Sequence, residues 1–229
     1  MDKLNLTIGR LERDIIEDGE ILIQIALQHP VIAADTHPAA NELNRCFAAM
    51  AETLATMLSL GMLGEARAAA QIMPEALPYQ INGTFTTTYN AHGVLSFYTD
   101  VFLYVGGMRG ITYRYGSTFA VGDGVRPLFV SALFPAGADV RDLICDFAAE
   151  RNGMDVFAVR EAFSPENVYL TDGGLAVFFH PGDVGPVAGG MVVVVMPYGS
   201  NELLSPPLIH PSAAVSVETQ GVIVIDVDI

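Results

Sequence analysis

The chain has 229 residues, of which 51% are hydrophobic and 16% are charged. This composition is typical of a globular protein and excludes intrinsic disorder, and a chain of this length buries enough surface to fold without a disulfide or metal staple. Twenty-six acidic residues against eleven basic ones give a net charge of −15, which opposes binding to nucleic acid and favours a basic partner. The alternative is that the acidity serves solubility alone.

Both cysteines, Cys46 and Cys145, lie in apolar, helical contexts. One pair is too few for a disulfide scaffold, so we interpret them as buried free thiols. The first residues interleave charged and apolar side chains and lack a signal-peptide core, and no run reaches about 18 uninterrupted apolar residues. The sequence as given therefore predicts no membrane segment and a cytoplasmic location.

The first two elements are predicted to form an antiparallel strand pair. Apolar residues alternate from Leu4 to Ile8 and again from Ile21 to Leu27, on either side of an acidic turn. We expect Pro30 to close the second strand.

A long helix follows, with Thr36 as its cap and Pro38 in its first turn. Apolar residues recur every three to four positions, and the stripe they predict is Leu43, Phe47, Met50, Leu54 and Met57. Gly61 and Gly64 are expected to weaken its continuation. Residues 84–104 then predict a hairpin around a turn at residues 90–93, and residues 111–121 predict another strand.

The second half predicts a helix beginning at Asp139, a short helical turn over residues 155–162, and three strands within residues 169–198. Two more strands are expected at residues 213–218 and 222–229. Short connections favour antiparallel pairing. The fold class is therefore α+β, with a largely antiparallel sheet on which one long and one shorter helix pack, in a single domain over residues 1–229.

Three segments together resemble a known domain family. They are YVGGMRGITYRY at residues 104–115, LFVSALFPAGADVRDLI at residues 128–144, and YLTDGGLAVFFHPGDVGPVAGGMVVVVMPY at residues 169–198. In order and spacing they are similar to the family that includes the extracytoplasmic domain of the anti-sigma factor RsiV and the non-catalytic N-terminal domain of the deacetylase PdaC. The likeness covers residues 8–204, and residues 208–229 are predicted to form an additional strand pair.

The resemblance implies an extracytoplasmic sensing domain, which for RsiV means recognition of lysozyme. The sequence departs from the family in its second loop, where Gly182 and Val187 replace expected aromatic residues, and at Arg109, where the family often has histidine. The candidate binding residues lie in two loops and are Tyr104, Arg109, Tyr113, His180, Asp183 and Pro186. The alternative is that the tyrosines pack on the sheet and that Arg109 pairs with a nearby carboxylate.

No catalytic or metal motif is present in the sequence, so we expect no enzyme activity, no cofactor and no metal. Asp226 and Asp228 share one strand face, but a solvated edge explains them better than a calcium site. The main hypothesis is a non-enzymatic domain that recognises a cell-wall fragment or a basic protein. The alternative is an intracellular oligomerisation scaffold, and a hydrolase without a recognisable motif is a third, weaker class. The oligomeric state stays open.

Overall fold

A computed structural model of the chain describes residues 3–33, 37–107, 109–122, 124–200 and Leu203. Within these residues it contains three α-helices, which are α1 (Ala40–Ile72), α2 (Val140–Asn152) and α3 (Val156–Ala162). Its nine strands are β1 (Leu6–Glu17), β2 (Glu20–Ile32), β3 (Tyr79–Ala91), β4 (Val94–Tyr104), β5 (Ile111–Val121), β6 (Val125–Pro127), β7 (Val168–Thr171), β8 (Gly174–Phe179) and β9 (Val192–Pro197). The predicted α+β class is confirmed. Thr36 and the predicted tail strands with Asp226 and Asp228 lie outside the described residues.

The strands form two sheets. Six strands lie in the order β1-β2-β3-β4-β5-β6, and three lie in the order β7-β8-β9. Every neighbouring pair is antiparallel except β2 and β3, which run parallel because α1 connects them as a crossover. The largely antiparallel prediction is therefore confirmed, with the addition of a second sheet.

The predicted β1–β2 pair is present, and its tight turn places Asp18 and Gly19 at positive φ. Pro30 does not close β2, which continues to Ile32. Pairing with β3 ends at Leu27, so at Pro30 the strand has β1 as its only strand neighbour among the described residues. Proline is tolerated at such a position because it removes no hydrogen bond from a second ladder.

The buried face of α1 differs from the predicted stripe. Leu43 and Phe47 are buried as expected, but Leu54 is only half-buried and Met57 is 54% exposed. The row that faces the sheet continues instead through small residues and Met62, namely Ala51, Ala55, Ser59, Met62, Ala66 and Ala69. These lie about a third of a turn from the predicted stripe. Small side chains allow the helix axis to approach the sheet closely. The spacing of the large apolar residues did not indicate that this face meets the sheet.

Within the described part of the chain, α1 is also the one helix that is long and apolar enough to cross a membrane. This finding rests on length and composition only, which the core helix of a soluble protein also satisfies. In the structure the helix packs against β2 and covers a core that includes Ile23, Ile25 and Ile81.

Gly61 and Gly64 do not end α1, and a methyl group added at either position would have no atom within 4 Å outside the neighbouring backbone. We expect Gly61→Ala and Gly64→Ala each to raise the free energy of unfolding by about 0.5–1 kcal/mol, because alanine has less chain entropy to lose in a helix. Urea melts measure this. The control is Gly83→Ala, which should destabilise, since its methyl group would lie 2.5 Å from Leu27 Cδ2. A loss of stability at Gly61 or Gly64 would contradict a continuous helix.

The predicted second helix and helical turn are confirmed. Asp139 caps α2, where its carboxylate accepts a hydrogen bond from the Asp142 N–H at 3.1 Å. Asp155 caps α3 in the same way through the Phe157 N–H at 2.9 Å. Both helices contribute to a core with the second sheet, in which Ile144, Val159 and Phe179 are fully buried.

Candidate functional site

The two sheets meet where β7 crosses β5, at Gly116. A methyl group at Gly116 would lie 1.9 Å from the Val168 carbonyl oxygen, so only glycine fits between the two backbones. Next to this crossing, the buried Ser96 hydroxyl accepts the Leu170 N–H at 2.9 Å and lies 2.7 Å from the Thr118 hydroxyl. The crossing therefore fixes the second sheet on the face of β4 and β5 that points away from α1.

Arg114 is the centre of a polar cluster at this junction. Its guanidinium donates two hydrogen bonds to Asp100, at 2.7 and 2.8 Å, and a third to the Tyr169 hydroxyl at 3.3 Å. The Tyr98 ring lies 3.6 Å from the guanidinium carbon. Such a bidentate pair under an aromatic ring holds each partner in one orientation.

The electrostatics of this cluster favour the ion pair. Burial alone would lower the pKa of Arg114, but the hydrogen bonds and the charge of Asp100 outweigh it and raise that pKa. Burial also raises the pKa of Tyr169, against the opposing effect of Arg114, so its phenol stays protonated at neutral pH. The cluster thus joins β4, β5 and β7 through a charged pair and a neutral phenol.

His180 covers the neighbouring edge of β5. Its Nε2 atom lies 3.1 Å from the Arg114 backbone nitrogen and 3.0 Å from the Arg114 backbone oxygen. One tautomer accepts from the N–H and the other donates to the carbonyl, so the ring satisfies a strand edge that would otherwise be open to pairing. The Tyr113 ring packs beside it, with 5.4 Å between the ring centroids.

The loop that follows His180 is fixed at its base. The Asp183 carboxylate accepts the His180 N–H at 2.7 Å, and the Asp183 N–H in turn donates to the His180 carbonyl at 3.0 Å. Pro186 precedes a single 3₁₀ turn (Val187–Gly189), and the five residues from position 185 to 189 are all exposed. The loop therefore combines an ordered base with an exposed tip.

The structure brings three of the six predicted residues together, namely Tyr113, His180 and Asp183. Pro186 lies in the same loop but at its exposed tip. Tyr104 and Arg109 belong to the other loop, where the Tyr104 hydroxyl donates to the Gly107 carbonyl at 3.0 Å and Arg109 is exposed. Tyr113 lies in β5, just after that loop, and its ring contact with His180 links the two regions. Among the residues that the structure describes, no hydrogen bond, ion pair or ring contact joins Tyr104 or Arg109 to the second loop.

The pairing of Arg114 with Asp100 was not predicted from the sequence. The signal was available, because a hairpin centred on Gly107 places residue 100 directly opposite residue 114. Tyr98 lies on the same face of β4 as Asp100, but its partner Tyr169 comes from the second sheet. Side chains from separate sheets are brought together only by the tertiary fold.

The structure also accounts for one departure from the resembled family. Gly182 has φ +98°, and a methyl group there would lie 3.1 Å from the Val187 side chain. An aromatic residue at position 182 would be strained in this backbone conformation. Val187 lies at the tip of the loop and is 66% exposed. It is the one large apolar side chain in the 3₁₀ turn.

Metal-ligand side chains are not clustered among the described residues. No group of three or more histidine, cysteine, aspartate or glutamate side chains lies close enough together in that part of the chain to hold one.

Comparison with known proteins supports the same fold. Residues 138–199, which span α2 to β9, match the family model described as a protein of unknown function, DUF3298. No curated protein sequence matches the chain.

Two crystal structures of proteins in that family resemble the whole fold. One is from Bacteroides fragilis, with a TM-score of 0.60 at 16% identity over 91% of this chain and 98% of that one. The other is from Pseudomonas aeruginosa, with a TM-score of 0.52 at 14% identity over 90% of this chain and 97% of that one. At this identity the likeness shows a shared architecture, which extends well beyond the matched segment.

Proposed function

We propose that the protein is a non-enzymatic binding or sensing domain that recognises a basic protein or a cell-wall fragment through the loop at residues 181–190. The observation that supports this is the combination of an anchored base and an exposed tip. His180 and Asp183 hold the base by backbone hydrogen bonds, while residues 185–189 project into solvent. A loop that is ordered before binding loses less entropy when a partner docks.

Charge favours a basic partner. The chain carries a formal net charge of −15, and Asp183 places one carboxylate in the loop itself. Opposite charge speeds the encounter between two proteins, whereas affinity depends on a few anchored side chains. Because Gly182 and Val187 replace the aromatic residues that the RsiV resemblance would supply, binding here rests on surface charge.

We therefore expect weak, salt-dependent binding to lysozyme, a basic protein that the resemblance suggests as a probe. Calorimetric titration at about 0.02 M and about 0.15 M salt should show binding that is largely lost at the higher value, since exposed charges are then screened beyond about 8 Å. Tight binding that survives physiological salt would contradict the charge argument. No heat of binding at either salt concentration would exclude a general attraction to basic proteins.

A matched pair of variants locates the contact. Asp183→Asn keeps an oxygen that accepts the His180 N–H, and Glu20→Gln changes an exposed residue at the start of β2. Each removes one of 26 acidic groups and so changes the net charge from −15 to −14. Weaker binding for Asp183→Asn alone supports the loop at residues 181–190 as the contact site, and an equal effect of both variants would contradict it.

The non-enzymatic part of the proposal has its own test. We expect the purified protein to leave an acetylated glycan unchanged. Release of acetate that a chelator abolishes would show a metal-dependent hydrolase instead.

A further inference from the structure

A cleft of about 440 Å³ opens between α1 and the sheet, on the side away from the second sheet. Cys46, Met50 and Leu54 of α1 form one wall, and Phe97, Tyr115 and Ser117 of β4 and β5 form the other. The volume lies within the range of small-molecule sites, about 300–1,000 Å³. The cleft exists because α1 packs on β2 through its row of small residues, which leaves the larger Met50 and Leu54 beside the contact rather than in it.

The lining carries no carboxylate, ammonium or guanidinium group. In a chain with 37 ionised side chains, 26 acidic and 11 basic, no aspartate, glutamate, lysine or arginine lines the cleft. A charged ligand would therefore be desolvated there without one of these groups as its counter-charge, which is costly. His29 supplies the imidazole of the lining, and its Nδ1 atom lies 3.1 Å from the Pro30 carbonyl oxygen. This favours a neutral ligand over a carboxylate or a phosphate.

Three hydroxyl groups face this space from neighbouring strands. Thr99 pairs directly with Tyr115 in the β4–β5 register, and Ser117 lies two residues further along β5. None of these hydroxyls makes a hydrogen bond to any residue that the structure describes. Burial, followed by the nearby Tyr113, raises the pKa of Tyr115, so its phenol remains a neutral donor. The cleft therefore offers apolar walls and a cluster of unpaired hydrogen-bonding groups.

We propose that this cleft binds a small uncharged amphiphile, with an aliphatic or aromatic body between α1 and Phe97 and one hydroxyl end beside Thr99, Tyr115 and Ser117. Its body would replace water against Met50 and Leu54, which is the main favourable contribution to binding. The site goes beyond the loop at residues 181–190, and neither proposal depends on the other.

The first test uses a neutral fluorophore, N-phenyl-1-naphthylamine, and its displacement by decanol and by decanoate. We expect saturable binding of the fluorophore and displacement by decanol at lower concentration than by decanoate. Fluorescence that never saturates, or stronger displacement by decanoate, would overturn the proposal.

Two tryptophan variants on α1 form a matched pair. Ala49 lines the cleft and Ala68 is exposed on the same helix outside it. Ala49→Trp should weaken fluorophore binding by at least about tenfold because it fills the space, whereas Ala68→Trp should leave it unchanged. Equal binding by both variants would overturn the proposal. Tyr115→Phe and Ser117→Ala should each weaken decanol binding about threefold to tenfold, the effect of one lost hydrogen bond.

The wild-type chain provides a test that does not depend on a variant folding. Cys46 is partly exposed in the cleft and Cys145 is fully buried, so a maleimide should label Cys46 alone in the native protein. Burial raises the pKa of the Cys46 thiol, so labelling is performed at mildly alkaline pH. Saturating decanol should slow Cys46 labelling at least about fivefold. An unchanged rate would place decanol elsewhere and overturn the proposal.

Discussion

Replacing Gly116 with alanine is expected to destabilise the protein by about 3 kcal/mol or more, because the new methyl group has no space. It would lie 1.9 Å from the Val168 carbonyl oxygen and 2.8 Å from the Val168 carbonyl carbon. Both are backbone atoms of β7, which pairs with β8, so the whole second sheet must shift to relieve the clash. That shift would also disturb the Ser96–Leu170 hydrogen bond that holds the sheets together.

Denaturant melts of Gly116→Ala and of the control Gly122→Ala measure this effect. Gly122 has open space around its methyl position, so its substitution should change the free energy of unfolding by less than about 0.5 kcal/mol. If Gly116→Ala is as stable as the control, β7 does not cross β5 at this point and the junction between the sheets is wrong.

Local signals in the sequence predicted most of the secondary structure. The aspartates at positions 139 and 155 indicated helix starts because their carboxylates accept early N–H groups. The turn at His92 and Gly93, both at positive φ, indicated the β3–β4 hairpin. Such features depend on neighbours in sequence, and so they can be recognised without the fold.

Features that depend on packing were not predictable in the same way. The face of α1 that meets the sheet is set by how closely the helix can approach, and its small residues carry weak hydrophobic signals. The division of the strands into two sheets depends on the crossing at Gly116. A glycine within a strand indicates a close approach of some backbone, but the sequence does not identify Val168 as that backbone.

The candidate site could likewise be predicted only in part, because some of its contacts depend on how the two sheets pack. The loop at residues 181–190 follows a strong strand signal and is rich in glycine and proline, so its position was evident. The interaction of His180 with the Arg114 backbone at the edge of β5 was not predictable, since residues 114 and 180 are distant in sequence. The use of the histidine ring as an edge cap emerges only when the second sheet is placed on the first.

Replacing Phe47 with alanine is expected to lower the free energy of unfolding by about 3–5 kcal/mol. Its ring is 1% exposed and makes edge-to-face contacts with Phe97 at 5.5 Å and Phe119 at 5.4 Å. Truncation would leave a cavity between α1 and the sheet and would remove both aromatic contacts, whose geometry adds to the area buried. Chemical denaturation of the variant measures the loss.

Leu54→Ala is the matched control on the same helix. Leu54 is half-buried and lines the open cleft, so solvent can occupy the space that it leaves, and a loss of only about 1–2 kcal/mol is expected. The stripe predicted from apolar spacing requires both residues to be buried, and hence comparable losses. A large loss of stability for Phe47→Ala and a small one for Leu54→Ala would support the packing of α1 through Ala51 and Ala55. In that arrangement Leu54 lies beside the contact between helix and sheet and not within it. Comparable losses would mean that α1 is rotated towards the predicted stripe, and the cleft between α1 and β5 would then be closed.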